Sequence, residues 1–434
     1  MIILRTVKNI SSLNIAASVL LFLAAILAAV VANSSLSPVY QDFLLQELHL
    51  RIGNFNLFSH GGHPLKMIEF INDCLMTVFF LAVGLEIKRE LLVGELSSVR
   101  KAALPFIAAC GGMVVPVVIY ALSVASGTPE TRGMAIPMAT DIAFSLGVLS
   151  LLGKRVPLSL KIFLTAFAVV DDIGGILVIA LFYSADVAYG YLIAAAVLYV
   201  FLYYMGKFGV TQKIFFLFFG VIIWYLFLQS GIHSTISGVI LAFVIPARPR
   251  LDAGKYIERI RDIIGEFPVS KSDNIVLTNA QIATLKQVER ASDYVISPLQ
   301  SLEDNLHGAV SFVILPLFAF ANAGVVFSGS GSIVGDVSIA VAAGLLLGKF
   351  LGIYLFTWLA VKSGVALMPA GMNWKNIAGV SLLGGIGFTV SLFIANLSFA
   401  DEYPELLNQA KFGVLVGTVL AGVLGYVVLN WVLP

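Results

Sequence analysis

Apolar runs of about twenty residues follow one another along nearly the whole chain, separated by short polar breaks. A run of that length crosses the roughly 30 Å of bilayer hydrocarbon only as a helix, because no water is available there to satisfy an open backbone. Twelve spans can be drawn, at about 12–33, 66–87, 102–124, 133–152, 158–183, 189–206, 213–229, 231–246, 305–326, 337–361, 375–398 and 411–432. The first run is too long for a signal-peptide core and reads as a retained span. Charged residues make up 12% of the 434, about half the share found in soluble domains. The expected fold is an all-α polytopic membrane protein, one integral domain over residues 1–434 with the lipid bilayer as its main solvent. A net charge of +1 gives no sign of a nucleic-acid partner. Cys74 and Cys110 sit in apolar runs without metal-ligand spacing, so no cofactor is expected.

Loop charge sets the orientation. With the N-terminus inside, most of the 26 lysines and arginines fall on the cytoplasmic side. Only Arg51, Lys66, Arg132 and Lys411 fall outside, and Lys349 lies within a span. One span more or fewer would scramble this asymmetry, which predicts both termini in the cytoplasm. Two stretches lie off the membrane. Residues 247–300 form a polar cytoplasmic insertion in which KYIERIRDIIGEF reads as an amphipathic helix. Outside, QELHLRIGNFNLF alternates around Gly53-Asn54, a β-hairpin signal. A hairpin with nothing beneath it is marginal alone, which suggests a partner subunit.

Ionisable groups inside a span are costly and usually functional. The candidates are Asp73, Asp141, the adjacent Asp171 and Asp172, Lys349, and His233 near the start of span eight. Neighbouring helical residues differ by about 100° around the axis, so Asp171 and Asp172 need separate partners. One can meet a hydrated ion in a cavity while the other pairs with Lys349. Two close carboxylates in low dielectric cannot both stay ionised cheaply, so protons and a small cation compete to neutralise them. Competition combined with alternating access is sufficient for exchange.

Span four contains Pro137 just before Thr140-Asp141, and span eleven clusters Gly384, Gly385 and Gly387. Such interruptions in corresponding spans of two halves point to a transport site, since unwound backbone at depth is tolerated only in a protein interior or cavity. Half-helix N-termini would favour an anion such as Asp141, and C-termini a cation such as Lys349. Other classes fit poorly. A pore needs rings of carbonyls or acids. An aspartyl protease needs its two aspartates on separate helices. An organic-solute carrier would need aromatic or arginine clamps at depth.

The motifs INDCLMTVFFLAVGLEIKREL, AIPMATDIAFSLGVLSLLG, RVPLSLKIFLTAFAVVDDIG, SGIHSTISGVI, ILPLFAFANAGV, LLLGKFLGI and GGIGFTVSLFIA occur in this order. Together they closely resemble the NhaA-type sodium/proton antiporters. The resemblance implies twelve spans with inverted repeats, and broken spans four and eleven that cross. It also implies electrogenic exchange of Na+ or Li+ for H+ rather than enzymatic chemistry, in a bacterial inner membrane. On this reading Asp172 is the more direct cation ligand and Asp171 the partner of Lys349. Thr140 and Asp141 flank the site and Asp73 supports it. Glu86, Arg89, Glu90 and Glu303 match a cytoplasmic cluster linked to activation by alkaline pH, and His233 matches a family histidine near the outer surface. The hairpin at 46–58 would contribute to a homodimer. The chain departs from the family in its long 247–300 insertion, in Gln300, Ser301 and Asp304, and in Phe350 after the lysine.

Overall fold

A computed structural model describes residues 2–52, 55–60, 63–183, 187–248, 253–268, 276–327, 332–400 and 402–433. The long helices are α1 (Ile2–Ala32), α3 (Met67–Val93), α4 (Val99–Ser123), α6 (Leu158–Phe182), α7 (Tyr189–Lys207), α8 (Lys213–Ser230), α12 (Pro298–Asn322), α13 (Asp336–Lys362) and α16 (Pro404–Val432). Short α2 (Ser37–Leu45) follows α1. Two further spans are broken. The 3-10 helix Pro129–Met138 meets α5 (Ile142–Leu151) at 45°, and α14 (Trp374–Leu383) meets α15 (Phe388–Phe399) at 44°. Nine long apolar helices and two bent pairs give up to eleven candidate membrane spans among the described residues. The expected eighth span is only the ten-residue apolar helix α9 (Thr235–Val244).

Side-chain contacts define two ends. The β-ribbon end holds Asn33 against Val325 O and Tyr183 against Arg132 O. The basic end joins Arg155 to Asn430 and Arg89 to Glu303. Glycines let helices approach closely, as in membrane packing generally. A Cβ on Gly111 of α4 would lie 2.3 Å from the carbonyl oxygen of Gly352 in α13. A Cβ on Gly238 of α9 would lie 2.4 Å from the carbonyl oxygen of Thr77 in α3.

The ribbon differs from expectation. Two tandem antiparallel hairpins form, β1 (Arg51–Ile52) with β2 (Phe55–Asn56) and β3 (Ser59–His60) with β4 (His63–Pro64). The Gly53-Asn54 turn lies outside the described residues. The ribbon does not stand alone: Leu65 and Phe58 pack on Trp224 and Leu228 of α8, and Gln229 Nε2 donates to Ser59 O at 2.6 Å. Apolar anchors near its end supply the platform that its alternation does not reveal.

The insertion contains the expected amphipathic helix, α10 (Ala253–Gly265), and a second helix, α11 (Asn279–Val295), that packs on it. Thr278 and Gln281 form a capping box at the start of α11. Leu299 N donates to Pro246 O at 3.2 Å, so the two helices hang from adjacent points.

Candidate functional site

The two broken spans meet at their breaks. Pro137 removes a backbone donor near the end of the first half-helix, and the chain is extended at Ala139 before α5 begins. In the other span the turn over 384–387 is crowded: a Cβ on Gly385 would lie 2.4 Å from Leu345 O. Each break is tied to the other. Asp141 N donates to Ile386 O at 2.6 Å. Thr140 Oγ1 donates to Gly384 O at 2.8 Å, and Ser145 Oγ to Leu383 O at 3.0 Å. In return Ser391 Oγ, on α15, donates to Ile136 O at 2.8 Å. Hydroxyls of one span thus take up carbonyls that the opposite break leaves open.

Asp141 serves two helix starts. Its Oδ1 caps α5 by accepting from Phe144 N at 2.9 Å. Its Oδ2 accepts from Thr389 N at 3.2 Å and from Thr389 Oγ1 at 2.7 Å, at the first turn of α15. One carboxylate therefore faces two positive helix ends.

Beside this crossing, α6 carries Asp171 and Asp172, both buried. Asp171 accepts from Lys349 Nζ at 2.7 Å, and both side chains are fully out of solvent. A π-helical turn, Gly344–Gly348, immediately precedes Lys349. The lysine thus meets a carboxylate rather than an open carbonyl of a broken helix, and its ammonium also lies 5.6 Å from the Phe167 ring. Asp172 faces differently. It lines a cavity of about 300 Å³ together with Thr140, Asp141, Glu86, Arg89 and Glu303. Asp172 forms no ion pair among the described residues.

Comparison with known proteins agrees with this geometry. The model of the Na+/H+ antiporter 1 family matches residues 8–429. This chain belongs to that family. It is 75% identical over 434 residues to the Na(+)/H(+) antiporter NhaA of Bacteroides thetaiotaomicron, covering 100% of the chain and 99% of that relative. The NhaA of Phocaeicola vulgatus is 62% identical over 411 residues, 94% of the chain and 92% of the relative. The NhaA of Porphyromonas gingivalis is 47% identical over 435 residues, 99% and 96% respectively. The antiporter is accordingly a multi-pass membrane protein of the Na+/H+ exchange class.

At the basic end of the antiporter, Arg89 Nε meets Glu303 Oε1 at 2.8 Å, and its Nη2 meets Glu90 Oε1 at 3.1 Å. Glu90 Oε2 also accepts from Glu95 N at 3.1 Å. Glu86, Arg89, Glu303 and His307 line the cavity, while Glu90 stands behind Arg89. Asp73 and His233 do not line the cavity. Asp73 occupies a π-turn, Phe70–Leu75, and its backbone carbonyl accepts from Trp224 Nε1 at 3.3 Å and Ser234 Oγ at 3.4 Å. His233 immediately precedes Ser234 at that end, away from the Glu86 cluster. Sequence reasoning did not single out Ser145, Thr389, Ser391 or Ser311. A hydroxyl within a turn of a predicted break is the signal that could have found the first three. It also passed over Lys88, whose ammonium caps the end of α9 by donating to Ala242 O, Phe243 O and Ile245 O.

Proposed function

We propose that this antiporter exchanges cytoplasmic Na+ or Li+ for external H+ by alternating access, electrogenically and under pH control. The observation that carries this reading is the division of labour on α6: Asp171 is paired with Lys349, while Asp172 lines an open cavity and joins no ion pair among the described residues. A small cation entering that cavity meets Asp172, with Thr140 beside it. A proton competes for the same carboxylate, so the site carries one cargo or the other.

Charge counting gives the electrogenicity. With Na+ bound, two carboxylates, one ammonium and the cation sum to zero. With one proton on each aspartate and Lys349 charged, the site is +1. A return step that moves this charge inward draws about 2.3 kcal/mol per 100 mV of inside-negative potential. Two protons against one cation is therefore the stoichiometry we infer.

The proposed topology has twelve spans, with α9 as the eighth, inverted repeats built around the two broken spans, and both termini in the cytoplasm of a bacterial inner membrane. On this reading the basic end is cytoplasmic and the structure is inward-facing. The Glu86, Arg89, Glu90 and Glu303 group would form the pH-responsive mouth, with Asp73 and His233 acting from the outer side. The ribbon at 46–58 would contribute to a homodimer. In everted vesicles with an imposed ΔpH, Na+ or Li+ should dissipate the gradient and Asp172→Asn should abolish the response. Normal exchange by that variant would sink the site assignment. Ion conduction without coupled proton movement would instead indicate a channel.

A further inference from the structure

Three of the helices that line the inner cavity carry a shared set of residues from it towards the ribbon end. Each carries cavity-lining residues, one buried phenylalanine and, nearer the ribbon, one asparagine. On α15, Thr389 and Val390 line the cavity, Phe393 follows, then Asn396. On α12, Ser311 and Leu315 line it, followed by Phe318 and Asn322. On α3, Glu86, Val83 and Phe79 line it, Phe80 lies level with them on another face of the helix, and Asn72 lies nearer the ribbon.

The three phenylalanines form one buried layer. Phe393 lies 5.6 Å from Phe80 and 6.4 Å from Phe318, centroid to centroid, and all three rings are buried. The three asparagines form a second layer beyond it. Asn322 Nδ2 donates to Asn72 Oδ1 at 2.8 Å and to Phe318 O at 3.0 Å. Asn322 Oδ1 accepts from Asn72 Nδ2 at 3.3 Å and from Asn396 Nδ2 at 2.9 Å. The spare proton of Asn396 goes to Leu392 O at 2.8 Å. Asn322 is completely buried, and its amide uses both donors and both acceptors. A buried polar group that is fully matched in one arrangement and unmatched in any slid one defines a discrete position rather than a continuum.

We propose that the Asn72–Asn322–Asn396 knot and the Phe80–Phe318–Phe393 layer beneath it form the outer gate of the transport path. The knot latches α15, the ribbon-side half of a broken span, to α3 and α12. Access from the ribbon side then requires α15 to release Asn322 and draw Phe393 out of the aromatic layer. The knot thereby biases the protein towards the form open at the basic end. This rests on the proposed alternating-access reading, but its test does not depend on which ion moves.

The test is accessibility. Leu315→Cys, in a background with Cys74 and Cys110 replaced by serine, puts a reporter thiol in the inner cavity. A membrane-impermeant maleimide is applied to right-side-out or to everted vesicles. With the knot intact, labelling should be confined to the basic face. Asn396→Leu keeps a similar volume and removes the amide. Losing one net hydrogen bond shifts a two-state ratio about fivefold, so ribbon-face labelling should rise about fivefold. Asn72→Ala, on the opposite side of the knot, should give a rise in the same direction, and it serves if Asn396→Leu does not fold. Unchanged ribbon-face labelling in folded Asn396→Leu or Asn72→Ala, even with a lowered unfolding temperature, would overturn the gate and leave only a structural bond. If Asp172→Asn still exchanges Na+ while the labelling shift occurs, the site reading fails and the gate stands.

Discussion

Removing the Asp141 carboxylate should cost more than the loss of one helix cap, because two helix starts share it. In Asp141→Asn one oxygen can still cap α5, but the amide nitrogen then faces Thr389 N, a donor, and bonds Thr389 Oγ1 only if that hydroxyl turns to accept, without the charge. Two bonds to a charged acceptor are lost, each worth about 1.5–3 kcal/mol. The anion's interaction with two helix N-termini, about 0.3–2 kcal/mol each, is lost with them and overlaps with the same contacts. A total of about 3–5 kcal/mol is expected, a large part of the roughly 5–15 kcal/mol that holds a typical domain. Thr389→Val removes only the hydroxyl bond. Equilibrium unfolding by SDS titration in mixed micelles would give the four corners of the double-mutant cycle. The coupling between the two positions should be about 1.5–3 kcal/mol. Additivity to within about 0.5 kcal/mol would refute the shared cap, since uncoupled sites behave that way.

Lys349→Met should destabilise the protein by about 3–5 kcal/mol, because Asp171 would remain buried and uncompensated, and Lys349→Met with Asp171→Leu should recover part of that loss in the same titration. Lys88→Met should cost about 1–3 kcal/mol by opening the carbonyl end of α9, and hydrogen exchange should rise there first. Replacing 253–295 with a short Gly/Ser link should leave Na+-driven ΔpH dissipation intact, since Pro246 and Leu299 already touch; loss of exchange would give the insertion a direct role. Burial pushes the Tyr40 hydroxyl, which donates to Phe320 O at 2.6 Å, up to about 12. The folded state holds that proton more tightly than the unfolded chain, so its stabilisation is complete below about pH 10 and is lost as pH rises towards 12. Tyr40→Phe should flatten that alkaline decline.

Much of the fold was legible in the sequence because the bilayer leaves few choices. Apolar length predicts a span whatever its neighbours are, and nine long helices with two bent pairs follow from that. Pro137 and the 384–387 glycines announced both breaks, since missing donors and missing Cβ atoms act locally. Weaker signals told less. Alternation around Gly53-Asn54 gave the β1–β2 hairpin but neither the second hairpin nor the seat on Trp224 and Leu228. The eighth span proved shorter than its apolar run because Gly231 adopts a left-handed turn before it and Pro246 follows its end. The three π-turns among the described residues carry no composition cue; one holds Asp73 and another precedes Lys349.

Sequence alone determined most of the spans, the few charges buried within them and the points where two helices had to break. These are local consequences of hydropathy and backbone chemistry. Residue chemistry alone could not say which of two adjacent aspartates meets Lys349, because a 100° step only separates their directions. Tertiary packing turned Asp171 to the lysine of α13 and left Asp172 facing the cavity. It also gave one carboxylate to two helix starts and joined asparagines 250 and 74 residues apart in one hydrogen-bonded knot. Such pairings depend on where whole helices lie against each other, and no local pattern encodes that.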